Sequence, residues 1–312
     1  MNSKVFRDLA IIIIALGFFG VVGATLAGGL FSTTIVGIDD GLVAHYTFDG
    51  PDVNWATGTV TDTKGSNDGS MKGSMSTSTA PVTGRLGQGF KFDGVGDAVN
   101  IDGAITSLNS TTEGTWSMWV KPIDATPSSQ KIPIVFNAGG TNTDRIEFLL
   151  RTDGNFDFQS TIGGGASLAW ALRPDSPPFS DNTWTHLVGV QNGVEPKLYI
   201  DGVAVAQSFT TSVDKTIWFN DLTQNEAWIG ERNVLAGEEG FFNGSLDDVR
   251  IYNRALSADE VNQLYQLGAT THIASGFEDT TDLFGHWTFD TGKVDFTNNL
   301  AFDETGENNG TL

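Results

Sequence analysis

Acidic side chains are the residues in this sequence whose type could support hydrolysis. A glycoside hydrolase needs two carboxylates at a set separation, one as the acid and the other as nucleophile or base. The Glu-x-Asp-x-Glu spacing that would place such groups on one face of a strand does not occur, and Glu147, Glu195 and Glu226 each stand alone. Glu238 and Glu239 are adjacent, so an extended chain points them to opposite faces. The sequence therefore predicts no catalytic carboxylate pair.

The histidines do not supply an alternative catalytic centre. No nucleophile-elbow motif accompanies them, and the sequence indicates no Ser, His and Asp arrangement. His45 and His186 alternate with apolar neighbours in segments that are typical of strands, which favours a structural role over a catalytic one. The remaining histidines are His272 and His286.

Asp247 is the carboxylate that most needs a partner. It lies in the segment LDDVRIY, two residues before Val249 and four before Ile251, so a regular strand would place all three on one apolar face. An unpaired carboxylate is costly there. Either Asp247 binds a cation such as Ca²⁺, which prefers several oxygen ligands, or it pairs with Arg250 or with backbone amides.

Charge and cysteine content limit the partners. The 312-residue chain has 17 basic and 38 acidic residues, a net charge of −21. Nucleic-acid binding needs clustered Lys and Arg, so this balance argues against nucleic acid as a partner. The acidity indicates a solvated surface or cation binding. The sequence has no cysteine, so an exported domain would depend on core size or metal rather than on disulfides.

The N-terminus has the pattern of an export segment. Lys4 and Arg7 precede an apolar run at residues 9–30 that ends in small residues. This order is typical of a secretory signal peptide, with cleavage after Ala24 or Ala27. The run is also about 20 residues long, enough to span a bilayer as a retained anchor. Both interpretations export the rest of the chain.

From residue 41 onward the sequence is typical of strands and turns. Apolar and polar residues alternate with a period of two, and Trp119 opposes Trp116 on a strand that should be covered on both faces. Asp201 and Gly202 predict a type I′ hairpin turn. Residues 62–83 and 175–181 are predicted loops. The predicted strands lie at 42–48, 90–92, 99–101, 116–120, 146–150, 156–158, 184–190, 198–205 and 245–252.

One short helix is predicted after the last strand. Ser257 is placed as its N-cap, with Glu260 three residues later to complete a capping box. Val261 and Leu264 fall on one face at helical spacing, so the helix should lie flat on a sheet. Gly268 is the predicted stop.

Near its end the chain repeats its own beginning. The motif with His45 and Asp49 recurs with His286 and Asp290, an offset of 241 residues (286 − 45), and the same offset relates Asp62 to Asp303. Two separated matches at one offset indicate tandem copies of a domain. A sandwich cannot close from its first strand, so this second copy is expected to be poorly packed and the chain to be a piece of a longer protein.

Six separated segments resemble, in order, the laminin-G-like jelly-roll domains of the concanavalin A-like type. The resemblance implies an all-β, antiparallel two-sheet sandwich, and it specifies the fold better than the activity. The segments are GLVAHYTFDG (41–50), GQGFKFDGVGDAVNI (87–101), TWSMWVKP (115–122), WTHLVGV (184–190), KLYIDGVAV (197–205) and GSLDDVRIYNRALSADEV (244–261).

The same resemblance implies a structural calcium ion. In related domains an Asp in the last strand, a group after the first strand and a carbonyl in the FDG loop tend to hold it. The matching positions here are Asp247, Asp49 and Gly94, with Asp97 as a fourth candidate. The alternative is that Asp49 and Asp97 fill turns. A calcium ion would link the N- and C-terminal strands.

The expected organisation is therefore a signal peptide or membrane anchor with a short linker (1–38), a jelly-roll domain (39–268), a linker (269–281) and the truncated start of a second copy (282–312). Membrane contact is expected only through the first segment, if it is uncleaved. Sugar-binding sandwiches use aromatic rings and amides, and Trp170, Trp218 and Asn225 lie beside irregular segments. A Trp in a sandwich is more often core, so no ligand-binding residue is assigned.

These features predict a non-catalytic extracellular binding or adhesion module for carbohydrate or glycoprotein, within a tandem-repeat surface or secreted protein. Two alternatives stay open. The chain could be an accessory domain of a larger secreted glycoside hydrolase or protease, or a calcium-stabilised spacer.

Overall fold

A computed structural model of the chain describes residues 37–137, 144–163, 167–234 and 237–269, and short strands at 294–295, 300–301 and 310–311. The chain divides into two compact units, Met1–Ala269 and Thr270–Leu312. We describe each unit by itself.

The described part of the first unit contains twenty strands, three short 3₁₀ helices (Gly50–Asp52, Asp102–Ser107 and Phe219–Asp221) and, after the last strand, one α-helix, α1 (Ala258–Ala269). The strands are β1 (Leu42–Tyr46), β2 (Val53–Asn54), β3 (Thr59–Val60), β4 (Gly69–Lys72), β5 (Pro81–Thr83), β6 (Gln88–Asp93), β7 (Ala98–Asn100), β8 (Glu113–Pro122), β9 (Lys131–Asn137), β10 (Arg145–Leu150), β11 (Phe156–Ile162), β12 (Ser167–Pro174), β13 (Thr185–Asn192), β14 (Pro196–Ile200), β15 (Val203–Ala204), β16 (Gln207–Ser212), β17 (Glu226–Ile229), β18 (Arg232–Val234), β19 (Gly237–Glu239) and β20 (Asn243–Tyr252).

Eighteen of these strands form two antiparallel sheets. Sheet A has eight strands in the order β15-β14-β13-β8-β20-β6-β5, with β1 also paired to β20. Sheet B has ten strands in the order β16-β12-β11-β10-β9-β17-β7-β4-β3-β2. The strands β18 and β19 form a separate hairpin. The predicted two-sheet antiparallel sandwich is confirmed, and the described architecture agrees with a jelly roll.

The core lies between the two sheets and is built on Trp116 of β8. Its ring centroid lies 5.2 Å from that of Phe136, 5.4 Å from Phe148 and 5.8 Å from Phe158. These phenylalanines belong to β9, β10 and β11 of sheet B, and all four side chains are fully buried. Gly189 of β13 makes room for two of the rings, because an added Cβ would lie 2.8 Å from both Phe148 and Phe158. Aromatic contacts therefore join the two sheets.

The outer side of sheet A is covered by α1. The Trp119 ring, on the opposite face of β8 from Trp116, lies 5.6 Å from the ring of Tyr265 and is 2% exposed. Strand β8 is thus covered on both faces, as predicted. The capping box is also confirmed: the Ser257 amide donates to Glu260 (2.8 Å), and the Glu260 amide donates to the Ser257 hydroxyl (3.3 Å).

Gly268 does not stop the helix, which continues to Ala269. It is buried where an added Cβ would lie 2.5 Å from the Trp119 Nε1 atom. A glycine near a helix end therefore serves close packing here, and the predicted stop is wrong by one residue.

Two other local predictions need correction. Residues 62–83 are not one loop, because they contain β4 and β5. Gly69 begins β4 where an added Cβ would lie 2.7 Å from Val99, so this glycine permits close packing rather than a turn. Strand β1 ends at Tyr46, before the predicted position 48. Phe48 has a φ of 60° and stacks on Phe90 at 4.6 Å.

The predicted turn at Asp201 and Gly202 is confirmed. Both residues have positive φ, 49° and 77°, as a type I′ turn requires. Residues 175–181 contain neither helix nor strand, also as predicted.

The second unit has three described strands, β21 (Val294–Asp295), β22 (Leu300–Ala301) and β23 (Gly310–Thr311), paired antiparallel. The predicted packing of residues 282–312 otherwise lies outside the described residues, as do the apolar run at 9–30 and all but the first residue of the predicted linker (269–281). That first residue, Ala269, is the last residue of α1. None of the helices in the described ranges is long and apolar enough to cross a membrane.

Candidate functional site

Two of the predicted calcium ligands hold one loop, residues 84–88, which leads into β6. Asp247 Oδ2 accepts backbone hydrogen bonds from Arg85 (2.5 Å) and Leu86 (2.9 Å). Asp49 Oδ1 accepts one from the Gln88 amide (2.6 Å). Glycines at both ends of the loop leave room for these carboxylates, since an added Cβ would collide with them. The first and last strands are therefore tied to the same loop.

A β-bulge in β20 determines the face of sheet A on which the Asp247 side chain lies. The register of β20 against β8 shifts between Asp247 and Arg250, and Asp248 there has a φ of 50°. Leu246 and Val249 consequently both belong to the core, whereas Asp247 pairs with Trp119 on the outer face. The prediction that Asp247 shares the apolar face of Val249 is wrong, because the extra residue of the bulge changes the face.

Asp247 is nevertheless a buried carboxylate with one oxygen that makes no hydrogen bond. Its exposed fraction is 0%, and its Oδ1 atom has no hydrogen-bond partner. Burial raises the pKa of Asp247 to about 7, and the negative charge of Asp248 adds to the rise, although the amides of Leu86 and Arg85 oppose it. A buried oxygen of this kind is suited to a cation.

The residues around the loop fit a calcium ion in part. Asp49 and Asp247 supply carboxylate oxygens, and carbonyls of residues 84–88 are of the chemistry that Ca²⁺ prefers. Among the residues with described positions, no group of three or more His, Cys, Asp or Glu side chains is arranged to hold a metal ion. Such a site would therefore depend on carbonyl and water oxygens for its remaining ligands.

Gly94 and Asp97 are not brought to this loop. They follow the far end of β6, about five residues or roughly 17 Å along the strand from Gln88. Asp97 Oδ1 accepts from the Ser74 amide (2.9 Å) and Oδ2 from the Asp93 amide (3.2 Å). Both carboxylate oxygens of Asp97 thus accept hydrogen bonds from the backbone of neighbouring turns. The four predicted calcium ligands therefore lie at two separate places, with Asp49 and Asp247 at one and Gly94 and Asp97 at the other.

The two described histidines lie in buried contacts of sheet A. His45 Nε2 lies 2.6 Å from Asp248 Oδ1, and Asp248 also accepts from Arg250 Nε (3.0 Å). Burial alone would raise the pKa of Asp248, but His45 and Arg250 lower it to about 2. His186 Nε2 lies 2.9 Å from the Ser117 hydroxyl. Its Nδ1 has no partner, so the pair lacks the third group of a catalytic triad.

The outer face of sheet B, turned away from the core, carries a second polar site that the sequence did not indicate. Glu147 on β10 is 0% exposed. Its carboxylate accepts from Arg232 Nη1 (2.9 and 2.7 Å), Arg145 Nε (2.8 Å) and Gln159 Nε2 (2.6 Å). Burial alone would raise the pKa of Glu147, but Arg232 and Arg145 outweigh it and hold the pKa below its ordinary value. Glu147 therefore stays ionised.

A second buried carboxylate lies on the same face. Asp157 on β11 is 2% exposed and accepts from Arg173 Nε (2.7 Å) and Arg151 Nη1 (3.0 Å). Asp157 pairs in register with Leu149, two residues from Glu147 along β10. Glu147 is thus fixed by Arg145 of its own strand and by Arg232 of β18, and Asp157 by two arginines from outside β11.

Beside these ion pairs runs a line of residues that we name the polar row. Its members share one register level across β17, β9, β10 and β11: Glu226, Asn137, Arg145 and Thr161. The amide of exposed Asn225 donates to the Asn137 carbonyl (3.1 Å), so one suggested ligand residue lies next to the row. The other two suggestions, Trp170 and Trp218, are fully buried in the core.

An apolar groove lies elsewhere, at the irregular segment after β12. Its volume is about 320 Å³, and its lining includes Pro177, Pro178, Ile200 and Val205. No aromatic side chain and no convergent polar cluster lines it.

The antiparallel two-sheet sandwich with one short C-terminal helix defines an all-β protein of the jelly-roll type. Residues 93–262 match the Laminin_G_3 family of the concanavalin A-like lectin/glucanases superfamily, and the chain belongs to this family. The resemblance found in the sequence is thereby confirmed. A comparison with curated protein sequences finds no match.

Two solved structures with TM-scores above 0.5 share this fold, and a third has a lower TM-score. The receptor binding domain of botulinum neurotoxin C/D mosaic serotype matches 73% of this chain and 51% of its own at 16% identity, with a TM-score of 0.52. The binding domain of Paraclostridial Mosquitocidal Protein 1 matches 73% of this chain and 52% of its own at 18% identity, also with a TM-score of 0.52. This chain therefore spans about half the length of each. Domain 4 of the arabinanase AbnA from Geobacillus stearothermophilus matches 72% of this chain and 98% of its own at 21% identity, with a TM-score of 0.45.

Proposed function

We propose that this chain is a non-catalytic binding or adhesion module for carbohydrate or glycoprotein. The observation that carries the proposal is the outer face of sheet B, where Glu147 and Asp157 are each fixed between two arginines. Such a face offers positioned hydrogen-bonding groups, and both of its buried carboxylates are paired with arginines. Recognition of hydroxyl groups uses this chemistry.

The electrostatics of Glu147 argue against this residue as the acid of a hydrolase. A glycoside hydrolase needs one carboxyl group with a raised pKa to protonate the leaving oxygen. The pKa of Glu147 is lowered, since Arg232 and Arg145 outweigh the effect of burial. The family includes both lectins and glucanases by its description, and this ion pairing supports the lectin-like alternative.

The names of two structural neighbours support the same proposal. One is called a receptor binding domain and the other a binding domain, each with a TM-score of 0.52. At 16% and 18% identity they show the fold alone. Their named roles therefore serve here as a guide to the kind of partner.

Export and tandem organisation are parts of the proposal. The basic start and the apolar run at residues 9–30 support secretion or surface display, with the run either cleaved or retained as an anchor. The repeat of residues 42–69 near the C-terminus supports membership of a longer tandem protein.

A calcium ion at the 84–88 loop is proposed as structural. Asp49 and Asp247 would hold it and so link the first strand to the last. Support comes from the unpartnered Asp247 Oδ1 atom. When bound, the ion would supply a positive charge beside a buried carboxylate. This role concerns stability, and it is compatible with any ligand on sheet B.

Binding on a glycan array tests the proposal. The full chain, labelled on surface lysines, is applied with calcium and with a chelator, and each bound oligosaccharide is then assayed for new reducing ends. We expect saturable binding to a restricted set of glycans and no cleavage. Release of new reducing ends would show an enzyme, and calcium-dependent stability without any glycan or glycoprotein binding would show a spacer.

A further inference from the structure

Three buried side chains at one end of sheet B have polar atoms without a partner. Asn137 is 1% exposed, Thr161 is 2% exposed and Gln224 is 8% exposed. The unpartnered atoms are Asn137 Oδ1, Thr161 Oγ1, and both Oε1 and Nε2 of Gln224. A buried polar group without a hydrogen bond costs about 1–3 kcal/mol. Several such groups in one place call for a ligand or for ordered water.

The three residues lie at the same end of sheet B. Asn137 and Thr161 flank Arg145 in the polar row. Gln224 is brought to the same end by its neighbours, because the Asn225 amide donates to the Asn137 carbonyl (3.1 Å) and the Thr223 amide donates to Asp144 Oδ2 (3.2 Å).

The orientation of the Asn137 amide follows from its other contact. Asn137 Nδ2 donates to the Asn233 carbonyl (2.6 Å), so the oxygen must be the atom left without a partner. The site therefore offers an acceptor at Asn137, a hydroxyl at Thr161 and both functions at Gln224.

The arginines around these atoms are already paired with carboxylates. Arg145 and Arg232 both contact Glu147, and Arg232 also contacts Glu239. Asp144 accepts from the amides of Gly163 (2.8 Å) and Thr223 (3.2 Å), and Glu226 accepts from Trp228 Nε1 (3.4 Å). An anionic ligand would have to displace the arginine pairs, whereas a neutral ligand with hydroxyl groups would not.

We infer that this end of the outer face of sheet B binds the hydroxyl groups of a neutral sugar, with Asn137, Thr161 and Gln224 as its hydrogen-bonding residues. The inference rests on the proposed function, because it places the ligand of that binding module.

Ordered water is the competing explanation, since buried water fills polar cavities and makes about three hydrogen bonds. Asn137 and Thr161 are two strand spacings apart, about 10 Å, which is wider than one water molecule can bridge. The two explanations also predict different stabilities for variants. Removing a polar atom that serves a structural water destabilises the protein, but removing an orphaned one leaves stability unchanged or raises it.

The test uses the full chain and two shape-conserving variants, Thr161→Val and Gln224→Met. Thr211→Val is the matched control, because Thr211 lies on the same face at the edge strand β16, in register with Ala171. Binding of the strongest neutral oligosaccharide from the array is measured by titration calorimetry, and stability by urea unfolding. We expect each site variant to bind about tenfold more weakly, with an unfolding midpoint equal to or above that of wild type, and the control to match wild type in both.

The outcomes separate the two proposals. If the wild-type chain binds no glycan, the proposed function fails. If wild type binds and both site variants bind within about twofold, the function stands and this site is overturned. Weaker binding accompanied by a lower unfolding midpoint would assign the atoms to structural water and would also overturn the site.

Discussion

Asp49 and Asp247, which lie just after the first strand and in the last, accept backbone hydrogen bonds from the same short loop at residues 84–88. The loop thus joins the two ends of the domain without any disulfide. Asp247 Oδ1 has no hydrogen-bond partner in this arrangement. The proposed calcium ion would coordinate this oxygen and so add a further link between the two ends of the domain.

Calcium should raise the unfolding temperature, and Asp247→Asn should abolish that rise. A ligand that binds only the folded state stabilises it by about 2.7 kcal/mol at a hundredfold excess over its Kd. Scanning calorimetry with calcium and with chelator measures the shift. Glu195→Gln is the control, since Glu195 contacts Lys215 on the surface, and it should keep the full shift. A shift of equal size in Asp247→Asn would remove the site from this loop.

The stability contributed by His186 should disappear in acid. Burial lowers the pKa of His186 to about 4 in the folded protein, against about 6.5 when unfolded. The unfolded state therefore binds more protons between these values, so the contribution is complete above pH 6.5 and is lost as the pH falls towards 4, by about 3 kcal/mol.

Urea unfolding of wild type and His186→Gln at pH 7.5 and pH 4.5 checks this prediction. The difference in unfolding free energy between the two proteins should be large at the higher pH and smaller at the lower. An equal difference at both would show that His186 does not titrate in this range.

Gly189→Ala should destabilise the core. The added methyl would lie 2.8 Å from Phe148 and Phe158, and overpacking of this kind costs about 1–3 kcal/mol. Gly96→Ala is the matched control, because nothing lies within 4 Å of its added Cβ. Thermal unfolding should separate the two. Equal midpoints would contradict the packing described between the sheets.

Breaking the buried pair on sheet B should be costly. Arg232→Met removes one of the two arginines that contact Glu147, and it should lower the unfolding free energy by about 3 kcal/mol. Adding Glu147→Met to this variant should restore part of the lost free energy, since neighbouring residues couple by about 0.5–3 kcal/mol. Lys215→Met, which breaks a partly exposed pair, should change stability by less than about 0.5 kcal/mol. If the changes in unfolding free energy caused by Arg232→Met and by Glu147→Met simply add in the double variant, the ion pair is not formed in solution.

Local signals predicted much of the fold. The period of two located the central strand with Trp116 and Trp119, the Asp201-Gly202 pair located a hairpin, and the Ser257 capping box located the helix. Each of these depends on residues close in sequence, where spacing alone determines the geometry.

Features that depend on distant partners were missed. The bulge at Asp248 reverses the face of Asp247, and it is visible only once β20 is paired with β8. Glu147 looked isolated because Arg232 is 85 positions away. Gly69 looked like a loop residue because its role is to approach Val99 closely. No local pattern carries such information, since the sheet pairing that creates it joins residues far apart in sequence.

The most direct test of a non-catalytic binding role is calorimetric titration of the full chain with an oligosaccharide selected on the array, followed by chromatography of the recovered sugar. We expect a saturable heat of binding and intact oligosaccharide after prolonged incubation. Shortened products would contradict a non-catalytic module. The absence of saturable heat for every selected glycan and glycoprotein would contradict a binding module altogether.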